Sequence, residues 1–154
     1  MSEDRVYAVD DIPVIEDVLV FIRRKQTSFV GNDLSGARLV GRLVEDLTLL
    51  NADPLWVKQS GFWYAVAAHK DWLMSVNGVV SLEPFHRLMS LPSGGRLYDR
   101  TEVILTALAN AVVTIGRDGT TWISGDPDHW KLPKDFDLSF ASQEGRVIAF
   151  HFTR

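Results

Sequence analysis

Four histidines, His69, His86, His129 and His151, are the side chains best suited by intrinsic acidity to shuttle protons or bind a metal near neutral pH. Two of them stand beside aspartates. His69-Lys70-Asp71 and Asp126-Pro127-Asp128-His129 would together offer imidazole and carboxylate groups to a divalent cation. No two histidines have the i, i+4 spacing that sets a ligand pair on one helix face, and Asp-Pro-Asp is ordinary turn chemistry. The expectation is therefore no metal and no cofactor. His69, Asp71, Asp126 and His129 still mark where a small enzyme or ligand-binding domain would carry its site.

Other routes to catalysis find less support. The chain has no cysteine, which excludes thiolate chemistry, cysteine-ligated zinc and disulfides. It has no Gly-x-Ser-x-Gly elbow and no dinucleotide fingerprint. Ser93-Gly94-Gly95-Arg96 has the backbone freedom to cradle a phosphate, but it lacks the Lys-Ser/Thr of a P-loop and reads as a connector. Carboxylates occur side by side at Asp10-Asp11, Glu16-Asp17 and Glu45-Asp46. Neighbours on a helix point about 100° apart, so the latter two pairs do not converge as an acid/base dyad must.

The same carboxylates have a second use. Net charge is −4, and residues 1–53 account for all of it, with ten acidic and six basic residues against ten of each in 54–154. No basic cluster suggests contact with nucleic acid. An acidic surface suits a basic protein, through steering and register, and Asp10, Asp11, Glu16 and Asp17 are the expected partner-binding residues. Met1 to Asp11 lacks the basic-then-apolar order of a signal peptide, and no apolar run approaches bilayer-spanning length. A cytoplasmic protein without membrane contact is expected.

The elements that must position these residues follow from periodicity. Val6–Val9 suits a short strand. Ile12, Ile15, Val18, Leu19 and Ile22 form a helical stripe, with acidic residues before it and Arg23, Arg24 and Lys25 after, so a helix is expected over 12–25. A second helix is expected over 35–50, burying Leu39, Val40, Leu43, Val44, Leu47 and Leu50, with Ala37 and Gly41 leaving a groove for a close neighbour. Leu55–Lys58 and Phe62–Ala68 read as a hairpin around Gln59-Ser60-Gly61. The second of these strands is apolar throughout, which places it inside the sheet. Val79–Leu82 and Phe85–Met89 read as short strands, and Leu91–Gly95 as a loop. Asp99 and Glu102 have capping-box spacing before a third helix that ends near Asn110. Hairpins over 111–124, around Asp118-Gly119, and over 138–152 close the chain.

Two of these hairpins align at a spacing of 58 residues: Val57 falls on Ile115, Gly61 on Gly119 and Trp72 on Trp130. Each follows a helix, which suggests a helix-hairpin unit used twice. Blocks of helix and hairpin predict a single α+β domain, its mainly antiparallel sheet packed against about three helices. The five tryptophans, Trp56, Trp63, Trp72, Trp122 and Trp130, are expected mostly in the core.

A compact acidic chain with the Asp10/Asp11/Glu16/Asp17 cluster, many aromatics and no motif for chemistry resembles, in type, the immunity proteins of bacterial toxin systems such as contact-dependent growth inhibition. The resemblance implies a non-catalytic protein that neutralises a cognate toxin domain, often a basic nuclease, by covering its active site. A structural subunit of a homo-oligomer, joined through the aromatic hairpin, is the other alternative.

Overall fold

The computed structural model describes residues 17–52, 55–93, 96–136 and 145–153. The first helix is seen as α1 (Val18–Arg24), shorter than expected at both described ends, since Asp17 is an extended cap residue and Lys25 closes the helix; residues 12–16 of the expected span and the strand expected over Val6–Val9 lie outside the described residues. Asp17 caps α1 by accepting from Leu19 N at 3.0 Å, and Arg23 and Arg24 occupy the last turn, where the helix dipole favours cations. A short helix, α2 (Gln26–Val30), follows, to which the sequence assigns no element, and it stops at Gly31, whose φ of 77° few other residues adopt. Ser35 caps α3 (Gly36–Leu49) by accepting from Arg38 N at 3.1 Å. Leu39, Val40, Leu43 and Leu47 form its buried face, as the spacing predicts.

The close approach to this helix lies elsewhere than expected. Nothing comes within 4 Å of where a Gly41 Cβ would stand. At Gly36 a Cβ would stand 2.2 Å from the Tyr64 ring. The glycine that admits the sheet is therefore in the first turn of α3, facing β2 (Trp63–Ala68).

The sheet has five strands in the order β1-β2-β7-β5-β6, with β1 Leu55–Ser60, β5 Ala111–Gly116, β6 Gly119–Ser124 and β7 Arg146–His151, all neighbours antiparallel. The β1–β2 turn puts Gly61 at φ 58°, the first-position glycine of a type II′ hairpin. Strand β2 lies inside the sheet, as its apolar run predicts. Val66 and Ala68 enter the main core with α1, α3 and α4 (Thr101–Leu108), while Trp63, Ala65 and Ala67 enter a second cluster on the opposite face. Trp130, Leu132 and Phe136 cover that second face. The central strand is β7, and the partner expected for it over 138–141 lies outside the described residues.

Between β2 and α4 the structure departs from the expected strands. Met74 and Val80 make one isolated bridge, and Glu83–Phe85 is a 3-10 turn, so no strand forms over 79–82 or 85–89. The expected loop instead contributes β3 (Ser90–Ser93) to a hairpin with β4 (Arg96–Asp99). Helix α4 has Arg100 as N-cap residue, with no cap from its own side chain. The capping box fails because Glu102 pairs with Arg100 and the capping acceptor comes from another helix: Asp46 Oδ2 takes Thr101 N at 2.7 Å.

The repeated unit is seen in its order, but its turn glycines are not equivalent, Gly61 standing inside the turn between Ser60 and Trp63 and Gly119 pairing with Gly116 at the start of β6. Helix α3 precedes β1–β2, α4 precedes β5–β6, and Gly61 and Gly119 both have positive φ. Its packing is reversed. The first hairpin turns its second strand toward β7 and the second its first, so Val57 is 54% exposed while Ile115 is 9% exposed. Trp72 enters the main core, and Trp130 packs on the other face.

Candidate functional site

The acidic residues singled out by charge divide between two situations. Asp10, Asp11 and Glu16 lie outside the described residues. Asp17 is exposed, and one of its oxygens is engaged in capping α1.

The four residues marked for a ligand site do not converge. Asp71 is buried and grips Arg146: Nε to Oδ1 at 3.0 Å and Nη2 to Oδ2 at 2.8 Å. The same guanidinium reaches Asp118 at 2.8 Å and Thr114 Oγ1 at 3.2 Å. Strand register places Arg146 on the helix-covered face, where Gly116 leaves the room its side chain fills. His129 belongs to the segment covering the opposite face, exposed, with its ring 5.2 Å from Trp130. Asp126 serves its own turn, accepting Asp128 N at 2.9 Å on its carboxylate and Trp130 N at 2.8 Å on its carbonyl. His69 stacks edge-on with Trp56 at 4.7 Å. Among the described residues no three histidines or acids group to hold a metal.

Asp46, which does not converge with Glu45, is buried where α3 meets the start of α4. Burial pushes its carboxyl above the usual range; hydrogen bonding from Thr101 opposes this, Glu102 adds to it and Arg42 opposes it. An open hollow of about 510 Å³ lies beside it, lined by Arg42, Glu45, Thr48 and Asp99. Because the Asp46 carboxylate is committed to the α4 terminus, this arrangement is first of all a helix cap.

The aromatic tip of the β1–β2 hairpin is built differently. Phe62 is 57% exposed, yet its backbone is fixed, since Phe62 O accepts Phe152 N at 2.9 Å. Its ring meets His151 at 6.0 Å. Beneath it, Trp63 packs edge-on against Trp122, Trp130 and His151 at 6.3, 6.3 and 5.4 Å. Burial among these rings lowers the His151 pKa. The sequence shows three adjacent aromatics here, Phe62, Trp63 and Tyr64. Strand alternation sorts the last two, Trp63 to the second cluster and Tyr64 onto Gly36 and Phe150. Phe62 stays outside because it lies in the turn.

Comparison with protein-family models, with curated proteins and with solved structures finds no match to this chain.

Proposed function

We propose that this is a non-catalytic binding protein whose partner is another protein, and that it neutralises a cognate bacterial toxin domain, commonly a basic nuclease, in the manner of the immunity proteins it resembles. Phe62 carries this reading. A large aromatic ring, mostly in water, is held on a hairpin tip whose backbone is tied to Phe152 and whose floor is a packed aromatic cluster. Rigid exposed aromatics are the commonest anchors of protein interfaces, because little conformational freedom is lost on binding. Two further observations support it. The chain's excess negative charge lies in its first third, where it suits a basic partner. Three carboxylates of the candidate sites, Asp71, Asp126 and Asp46, are engaged in internal structural bonds.

On this reading a cognate toxin domain is encoded beside this protein, and the test uses that domain. Binding is measured for the wild-type chain, for Phe62→Ala and for a chain carrying Asn or Gln at Asp10, Asp11, Glu16 and Asp17. Loss of an anchor of about 2 kcal/mol weakens affinity about 30-fold, with the melting temperature held. The charge variant slows association at low salt and leaves dissociation nearly unchanged. A protein that neither binds that domain nor protects cells from it overturns the reading, and an unaltered affinity in Phe62→Ala removes the hairpin tip from it.

A further inference from the structure

Asn77 and Gly78 sit at the tip of a small hairpin. Ser81 N donates to Leu73 O at 2.9 Å, Met74 bridges Val80, and Ser75 N donates to Val79 O at 2.8 Å. The loop between them, Val76-Asn77-Gly78, closes through Gly78 N, which donates to Ser75 O at 2.9 Å, with Gly78 at φ 77°. This is a three-residue hairpin loop whose last position favours glycine. Every residue from Ser75 to Val79 is exposed, so water reaches the whole tip. An asparagine side chain is electrophilic at Cγ, and the backbone nitrogen of the next residue can reach it through a five-membered ring. Glycine in that next place hinders the approach least, because it has no Cβ. Of the asparagines Asn32, Asn51, Asn77 and Asn110, only Asn77 precedes a glycine.

The geometry points to Asn77 as a site of spontaneous deamidation whose rate is set by Ser75. Gly78 N loses its proton to solvent base and bonds to Asn77 Cγ. The Cγ–Nδ2 bond then breaks, and ammonia leaves with a proton taken from water. Water opens the resulting succinimide, giving aspartate if the Cγ–N bond is cut and isoaspartate if the bond to the backbone carbonyl is cut. One water is consumed, one ammonia is released, and nothing is oxidised or reduced. The attacking nitrogen is the one whose proton Ser75 O holds. While that bond stands, base cannot take the proton, so the loop must open before the ring can close. Ser75 Oγ resists this opening by accepting from Asn77 N and Val79 N, each at 3.3 Å. The rate of conversion therefore follows the open fraction of this loop rather than that of the whole protein. Either product places a carboxylate between exposed Val76 and Val79, within residues 72–82, which otherwise hold no charged side chain. No partner enters this chemistry, so its test is independent of toxin binding.

The test follows each asparagine by peptide mapping and mass spectrometry during incubation in mildly alkaline buffer. Wild type and Ser75→Ala are each followed folded and in urea. In urea, Asn77 converts fastest of the asparagines, at the same rate in both chains. In the folded wild type its conversion is at least about tenfold slower than in urea. Folded Ser75→Ala, which loses both hydrogen bonds to the hydroxyl, converts about tenfold faster than the folded wild type. Circular dichroism checks that the variant is folded. Hydrogen exchange of the Gly78 amide in the wild type reads the same opening without any variant, and that amide is protected. A folded wild type that converts Asn77 as fast as the unfolded chain, or a Gly78 amide that exchanges without protection, overturns the inference. A folded Ser75→Ala with the wild-type rate, or faster conversion of another asparagine in urea, also overturns it.

Discussion

Asp46 shows how one side chain can serve structure at a cost. Its carboxylate holds Thr101 N at 2.7 Å, satisfying a donor that α4 cannot satisfy within itself. Burial makes the charge expensive, so the folded protein holds this proton more tightly than the unfolded chain, whose value stays near 3.8. The sign then follows. Below 3.8 both states are protonated and the contribution is fully present; as pH rises through the raised folded value it is lost. Urea midpoints of the wild type should therefore fall across that interval relative to Asp46→Asn, which keeps an acceptor and has no charge to bury. Parallel pH profiles for the two proteins would sink the account. The sequence hides this residue for a definite reason. Helical spacing correctly sets Glu45 and Asp46 apart, but it does not say which one another helix covers. Asp17 was missed as a cap as well, although its donor, Leu19 N, is only two residues away, because the apolar stripe from Ile12 carried the expected helix past it.

At the scale of elements, most local signals were legible and imported ones were not. Helix α3 could be read from its serine cap and apolar stripe, β2 from its unbroken apolar run, and both main hairpins from their glycines. The cap of α4 was missed because a long-range contact from Asp46 overrides the local motif; the β3–β4 hairpin is local, and it was missed because its Ser-Gly-Gly-Arg stretch and Pro92 read as a connector rather than as a turn between strands. The two glycines of α3 separate these levels experimentally. Gly41 is in the helix interior with open space beside it, so Gly41→Ala should stabilise the protein by about 0.5–1 kcal/mol through helix propensity alone. Gly36→Ala should destabilise it by about 1–3 kcal/mol, because its methyl group meets the Tyr64 ring, itself stacked on Phe150 at 5.4 Å. Both values come from denaturant unfolding. If the two variants shifted stability in the same direction, α3 would not meet the sheet through its first turn.

Across the whole molecule, β7 joins two hairpins that otherwise share no strand pairing, and Arg146 at its start fastens the join. This guanidinium is fully buried and reaches Asp71, which follows β2, and Asp118, in the β5–β6 turn. Asp71 lies 75 residues from Arg146 in sequence, which is why its neighbouring His69 and Lys70 suggested a ligand site and nothing suggested a clasp. Removing one partner of a buried ion pair leaves an uncompensated charge, and Asp71→Ala should cost about 3–5 kcal/mol. Asp118→Ala should cost clearly less, because that carboxylate is 31% exposed and water screens or replaces it. Replacing both ions with apolar residues of similar volume, Asp71→Leu with Arg146→Met, should be less damaging than Asp71→Ala alone, since no charge is then left buried. Denaturant midpoints for the three proteins decide the matter. A loss below about 1 kcal/mol in Asp71→Ala would mean that Asp118 and Thr114 can hold Arg146 without it, and the two halves of the sheet would then depend on β7 pairing and apolar packing rather than on the clasp.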